Sequence, residues 1–170
     1  MNCWRITKYN PTFRDIYGSY QKNEWTSISD IGETFDGKRL TTEDYIRTEN
    51  LYIDAIIDFL KELEISGLKI DGLEKNKVVI EPNNLYTYEM TILFEAVKNQ
   101  QFLSIKQVEC ISRLILREQL WAKLSYRQTI FVHFGYDFYM YIGCEHEYKD
   151  VIKKIEKTGL FVEPFESPYI

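Results

Sequence analysis

The side chains best suited to chemistry are gathered in one stretch, TIFVHFGYDFYMYIGCEH, at residues 129–146. It holds both histidines (His133 and His146), the cysteine Cys144, Asp137, and the tyrosines Tyr136, Tyr139 and Tyr141. A Cys-x-His pair offers two metal ligands or a thiol beside a base, and His133 and Asp137 could add to it across a hairpin. The apolar residues on both sides of Gly135-Tyr136-Asp137 alternate with a period of two, the pattern of two paired strands joined by a short loop. In such a hairpin His133 and Cys144 have opposite phases, so their side chains point to different faces. The chain has no second Cys/His pair to complete a structural zinc site. The expectation is therefore no metal, no cofactor and no Cys/His catalysis, with Cys144 as an apolar strand-end residue.

Other chemistries fare no better. Glu24, Asp30, Asp36, Glu43, Asp44 and Glu81 could include an acid/base pair if burial separated their pKa values. Acids ahead of a helix are equally expected for capping and for the helix dipole. The spacing of Gly32, Gly37, Gly67 and Gly72 matches neither a dinucleotide-binding turn nor a P-loop. What the hairpin does offer is two unlike faces. Ile130, Val132 and Phe134 share one face with Phe138, Met140 and Ile142, which suits a core. Phe131, His133, Tyr139 and Tyr141 share the other, an aromatic face with polar tips. Such a face is either covered by the N-terminal segment or presented to a partner.

The elements that must position this hairpin follow from periodicity and caps. Residues 3–9 alternate as a first strand, ended by Asn10-Pro11. Residues 11–40 keep no period but carry large anchors, Tyr17, Tyr20, Trp25, Ile28, Ile31 and Phe35, and an Asp36-Gly37 turn signal. Thr41 with acids in the following turn opens a helix with an apolar stripe through Tyr45, Tyr52, Ile56 and Leu60, ended by Gly67. Short strands are expected at 68–71 and 78–80, and a helix at 85–98. A capping box at Ser104 and Gln107 opens a long helix predicted to run to Leu124. After the hairpin come a helix over 147–158, with Gly159 at its left-handed cap, and an edge strand at 161–163 beside Pro164. The expected fold is a single α+β domain over 1–170: a small, mostly antiparallel sheet with about four helices packed on it.

Composition narrows the function classes. The net charge of −5, with no long Lys/Arg run, argues against a nucleic-acid ligand. No apolar run approaches the roughly 18 residues of a membrane span. The first ten residues lack a secretory pattern, and three widely spaced cysteines fit a reducing compartment, so a cytoplasmic protein is expected. The aromatic content of 15%, with thirteen Tyr, fits pleated faces and interfaces.

The passages WRITKYNP, EWTSISDIG, LILREQLWAKL and VHFGYDFYMYIG resemble those of small cytosolic bacterial proteins, some of them similar to immunity proteins encoded beside toxins. The resemblance implies a bacterial cytosolic setting and an inhibitory or partner-binding role, and it carries no catalytic residue. The expectation is a non-enzymatic domain that binds another protein, in its sharpest form a toxin-neutralising inhibitor steered by its acidity to a basic target. The expected contact residues are Tyr139, Tyr141 and His133, helped by Trp25, Asp30 and Asp36. The competing expectation is a small enzyme or ligand-binding domain with a pocket between the 129–143 hairpin and the N-terminal segment.

Overall fold

The alternating segments of the sequence pair into one seven-stranded sheet in the computed structural model, which describes residues 1–169. The strands are β1 (Asn2–Thr7), β2 (Thr34–Phe35), β3 (Lys38–Arg39), β4 (Gly67–Lys75), β5 (Phe102–Ser104), β6 (Leu120–Tyr126), β7 (Ile130–Phe134), β8 (Met140–Cys144) and β9 (Phe161–Pro164). The order in the large sheet is β5-β4-β6-β7-β8-β1-β9, and every pairing is antiparallel. Strands β2 and β3 form a separate hairpin across Asp36-Gly37. Both turn residues have positive φ, 47° and 77°, as a two-residue primed turn requires. The helices are α1 (Thr42–Glu62), α2 (Tyr88–Ala96), α3 (Ile105–Leu116) and α4 (Lys149–Lys157). The expected α+β domain with an antiparallel sheet is thus the observed one.

One face of the sheet is the core. Ile6, Leu124, Val132 and Ile142 are fully buried there, each contributing about 1.5–3 kcal/mol relative to an exposed side chain. Helices α1, α3 and α4 are the lid on this face, with Phe59 of α1 against Trp4 at 6.0 Å between ring centroids. Cys144 falls on this side, opposite Ile130, whereas His133 pairs with Tyr141 on the other side. The hairpin phases expected from the sequence are those observed. Both sheet edges are blunted: β5 has three residues and β9 ends in Pro164.

Helix ends departed from expectation for one recurrent reason. Helix α1 stops at Glu62, not at Gly67, because Glu64 turns left-handed (φ 52°). The amides of Glu64 and Ile65 then close on Lys61 O and Leu60 O, a Schellman pair. Gly67 instead begins β4, where an added Cβ would sit 1.9 Å from Leu103 O. Helix α3 ends in the same way at Leu116, with Glu118 at φ 59° and the Gln119 amide on Leu114 O. The expected helix to Leu124 is therefore corrected: residues 120–126 form β6, whose buried Leu120, Ala122 and Leu124 alternate at period two. No strand forms at 78–80. The strand started at 68–71 instead continues to Lys75 through a register shift, with β5 and β6 already on its two sides.

The N-terminal segment is pinned as expected at Trp25, Ile28 and Ile31, which pack against the core. Tyr17 is not an anchor, since it is 87% exposed.

Candidate functional site

The aromatic face of the sheet is closed by the C-terminal tail. After β9 the chain crosses back over β1, β8, β7 and β6, setting Phe165, Ser167 and Tyr169 down in alternation. Phe165 lies under the Arg5 guanidinium at 4.2 Å, and the Ser167 hydroxyl meets His133 Nδ1 at 2.8 Å. Tyr169 packs edge-on to Tyr141 and tilted to Trp121, and the Lys123 ammonium donates to its carbonyl. Beneath the tail the Phe131 ring lies flat across Gly143, where a Cβ would come within 2.2 Å of it, and stacks on His133 at 4.3 Å.

Each expected contact residue therefore has a definite place. His133 and Tyr141 are 6% and 7% exposed, a cross-strand pair roofed by the tail rather than by the Trp25 segment. Burial, reinforced by the Lys123 ammonium, holds the His133 imidazole down to about 4, so it is neutral at pH 7. Tyr139, further along the same face, accepts a hydrogen bond from Arg14 Nη1 at 3.0 Å and stacks on Tyr9. Here the N-terminal segment does provide the cover. Trp25 lies on the helix side, against Tyr45 and Phe138. Asp30 is spent as a cap, accepting from the amides of Thr26 and Ser27 at 2.7 and 3.1 Å. Asp36 is exposed at the tip of the β2–β3 turn. The structure thus groups His133, Tyr141 and Tyr139 and leaves them little free surface; Trp25 and Asp36 line a separate cavity of about 490 Å³ with Lys38, Arg39 and Arg47, and Asp30 stands apart.

A further opening lies at the end of the sheet where β7 turns into β8. Asp137 and Phe138 both take positive φ, 59° and 61°. Two tyrosines hold this unfavourable pair in place: Tyr9 Oη donates to Asp137 O at 2.7 Å and Tyr52 Oη to Phe138 O at 2.8 Å. Phe138 is wedged edge-on among Trp25, Tyr45 and Tyr52. Between this loop, Thr26, the end of α3 and the ends of β4 and β6 lies a cleft of about 430 Å³. Its walls include Trp121, Phe134, Tyr136, the acids Glu74, Glu118 and Asp137, and, among the described residues, one cation, Lys75, whose ammonium donates to Glu95 O. The Trp121 indole is fixed by donation to Phe134 O at 3.0 Å. The Glu118 carboxyl is raised above its usual range, first by burial and then by Asp137 and Asp30. An arriving cation would relieve that crowding, and aromatic walls suit a guanidinium or ammonium group.

A second set of polar residues is structural. Glu49 is fully buried in α1 and receives Arg117 Nε and Nη2, each at 2.6 Å, and Arg113 Nη1 at 2.7 Å. This triad ties α1 to α3. Its signal was present in the sequence, because Glu49 interrupts the apolar stripe of Tyr45, Tyr52 and Ile56, and Arg113 and Arg117 stand four apart. Among the described residues no group of three or more His, Cys, Asp or Glu is placed to hold a metal ion. None of the described helices is long and apolar enough to cross a membrane.

These features define an α+β domain with an all-antiparallel main sheet, one helix-covered face and one tail-covered face. No protein-family model, curated protein or solved structure matches the chain.

Proposed function

We propose that the protein is a binding domain without chemistry of its own, and that it engages a basic protein at the β7–β8 end of the sheet. The observation that carries this reading is the cleft of about 430 Å³, lined by Glu74, Glu118 and Asp137 against Lys75, its single cation among the described residues, with Trp121 and Tyr136 at its walls. A basic side chain inserted there would pair with Glu118, which Asp137 and Asp30 now crowd, and would meet the rings of Trp121 and Tyr136. The net charge of −5 steers in the same direction. The sharpest form of the reading is an inhibitor that neutralises a basic toxin, in a cytoplasm where the three free cysteines stay reduced.

The alternative pocket between hairpin and N-terminal segment corresponds to this same cleft, which Thr26 and residues 134–138 line. Of the residues a catalytic version would use, His133 is on the tail-covered face and engaged with Ser167, Tyr139 is bonded to Arg14, and Asp137 alone of the three lines the cleft. That separation favours a partner over a substrate.

The test is to recover the partner from the native cells and compare its association with wild type and with the Glu118→Gln, Asp137→Asn double variant. The association rate should fall with salt for the wild type and lose most of that dependence in the variant. A partner that is itself acidic, or one bound equally fast by both proteins at every salt concentration, would overturn the proposal.

A further inference from the structure

The N-terminal segment contains a small, tightly built hairpin whose apolar tip touches nothing. Arg14 and Tyr20 face each other across it, and the Gln21 amide bonds to Phe13 O at 2.9 Å. At the tip, the Asp15 amide donates to Ser19 O and the Gly18 amide to Asp15 O, each at 3.0 Å. The Asp15 carboxylate accepts from the amides of Tyr17 and Ser19 at 2.9 Å and from Gln21 Nε2 at 3.0 Å. The backbone of the tip is thus tied down from within, while Ile16 and Tyr17 stand 92% and 87% exposed.

Single exposed apolar residues need no explanation, but two adjacent ones on a rigid projection differ from that background. The turn itself is set by Asp15 and Gly18 at its two ends, so its geometry does not call for Ile16 and Tyr17 at the exposed centre. The hairpin base is also fixed in position. Arg14 reaches Gly18 O, Tyr139 Oη and the Glu163 carboxylate, and its side chain is 8% exposed. Tyr139 follows the loop that lines the acidic cleft. The projection and the cleft therefore flank the same β7–β8 loop, joined through Arg14 and Tyr139.

We propose that Ile16 and Tyr17 form a hydrophobic knuckle that docks into an apolar socket beside the basic patch of the protein's partner. The proposal rests on the binding reading above and assigns it a second contact point. The two points have separate tasks: the acidic cleft governs the rate of encounter, and the knuckle governs how long the complex lasts. Pre-built geometry lowers the ordering cost of such a contact, and tyrosine offers large area with few rotatable bonds.

The closing experiment places a photoreactive benzophenone amino acid in the full-length chain, at position 17 in one protein and at position 136, on the cleft rim, in another. Both are irradiated in the native cells and the adducts are mapped by mass spectrometry. The expected result is adducts from both positions on one basic protein, with the position 17 adduct on apolar residues next to Lys or Arg. With that purified protein, Ile16→Ser with Tyr17→Ser should shorten the lifetime of the complex about tenfold or more, with little change in its salt dependence. Because both side chains are exposed, the variant should melt like the wild type. A basic partner cross-linked from position 136 and not from 17 overturns the knuckle and leaves the binding reading standing. Adducts from 17 on a protein that 136 never touches overturn the shared surface, and adducts from neither position sink both. Cross-links between two copies of this chain alone would also overturn it, by making the knuckle a self-association contact.

Discussion

The two faces of the sheet are covered by different physics. On the helix side, regular elements lay aliphatic stripes on aliphatic strands, and the Glu49–Arg117–Arg113 triad braces the helices. On the other side a tail without secondary structure is held by side chains: Arg5 on Phe165, His133 on Ser167, and Lys123 and Trp121 on Tyr169. Among the described residues its one backbone–backbone hydrogen bond runs from the Phe165 amide to Cys3 O. The first cover is continuous with the global fold. The second rests on a few separable contacts and should open at lower cost.

The largest effect that would break this contrast concerns the helix side. Glu49→Ala strands Arg117, 4% exposed at its side chain, without a carboxylate. A loss of about 3–5 kcal/mol in urea unfolding is expected; a loss under about 1 kcal/mol would mean the triad is not a brace. Phe59→Ala, which empties a fully buried site against Trp4, should cost a similar amount, about 3–5 kcal/mol, and unfold the whole domain cooperatively.

Acidification probes the tail side. Facing His133 are Lys123 on β6, Phe131 on its own strand, Tyr141 on β8, and Ser167 and Tyr169 of the tail. In the unfolded chain its imidazole titrates near 6.5, whereas in the fold it is held down to about 4. The unfolded state therefore takes the proton first, and stability present above pH 6.5 is lost as the pH falls through 4. The loss attributable to this group reaches about 3 kcal/mol. Comparing wild type with His133→Asn between pH 7 and 4 isolates it from the carboxylates, and parallel curves for the two would refute it. The smallest effect is expected for Ser167→Ala, about 1 kcal/mol. It should raise amide exchange in the tail and leave the rates of α1 and α3 unchanged.

Much of the frame was legible from the chain. The period-two alternation on either side of Gly135 fixed which residues of the hairpin face the core, and it separated His133 from Cys144. The caps at Thr41 and Ser104 marked the starts of α1 and α3 correctly. Their ends were misread because the left-handed positions are occupied by Glu64 and Glu118, both good helix formers that carry no stop signal. The expected contact surface was assembled from residue types, and type does not report what crosses a face. Tyr141 and His133 looked available until the tail was seen on them, and Tyr17 looked like an anchor until it was seen to touch nothing.

The sequence by itself therefore determined the 129–144 hairpin, the phases of its strands and the starts of α1 and α3. These depend on neighbours within a few residues and on the periods of 2 and 3.6 set by backbone geometry. Only the tertiary structure decided that Glu49 is buried with Arg117, 68 residues away, and that His133 is roofed by Ser167, 34 residues away. It also decided that an acidic cleft and an apolar knuckle flank the β7–β8 loop. Such pairings depend on where the chain returns after each turn, a global matter of packing and closure that local periodicity does not encode.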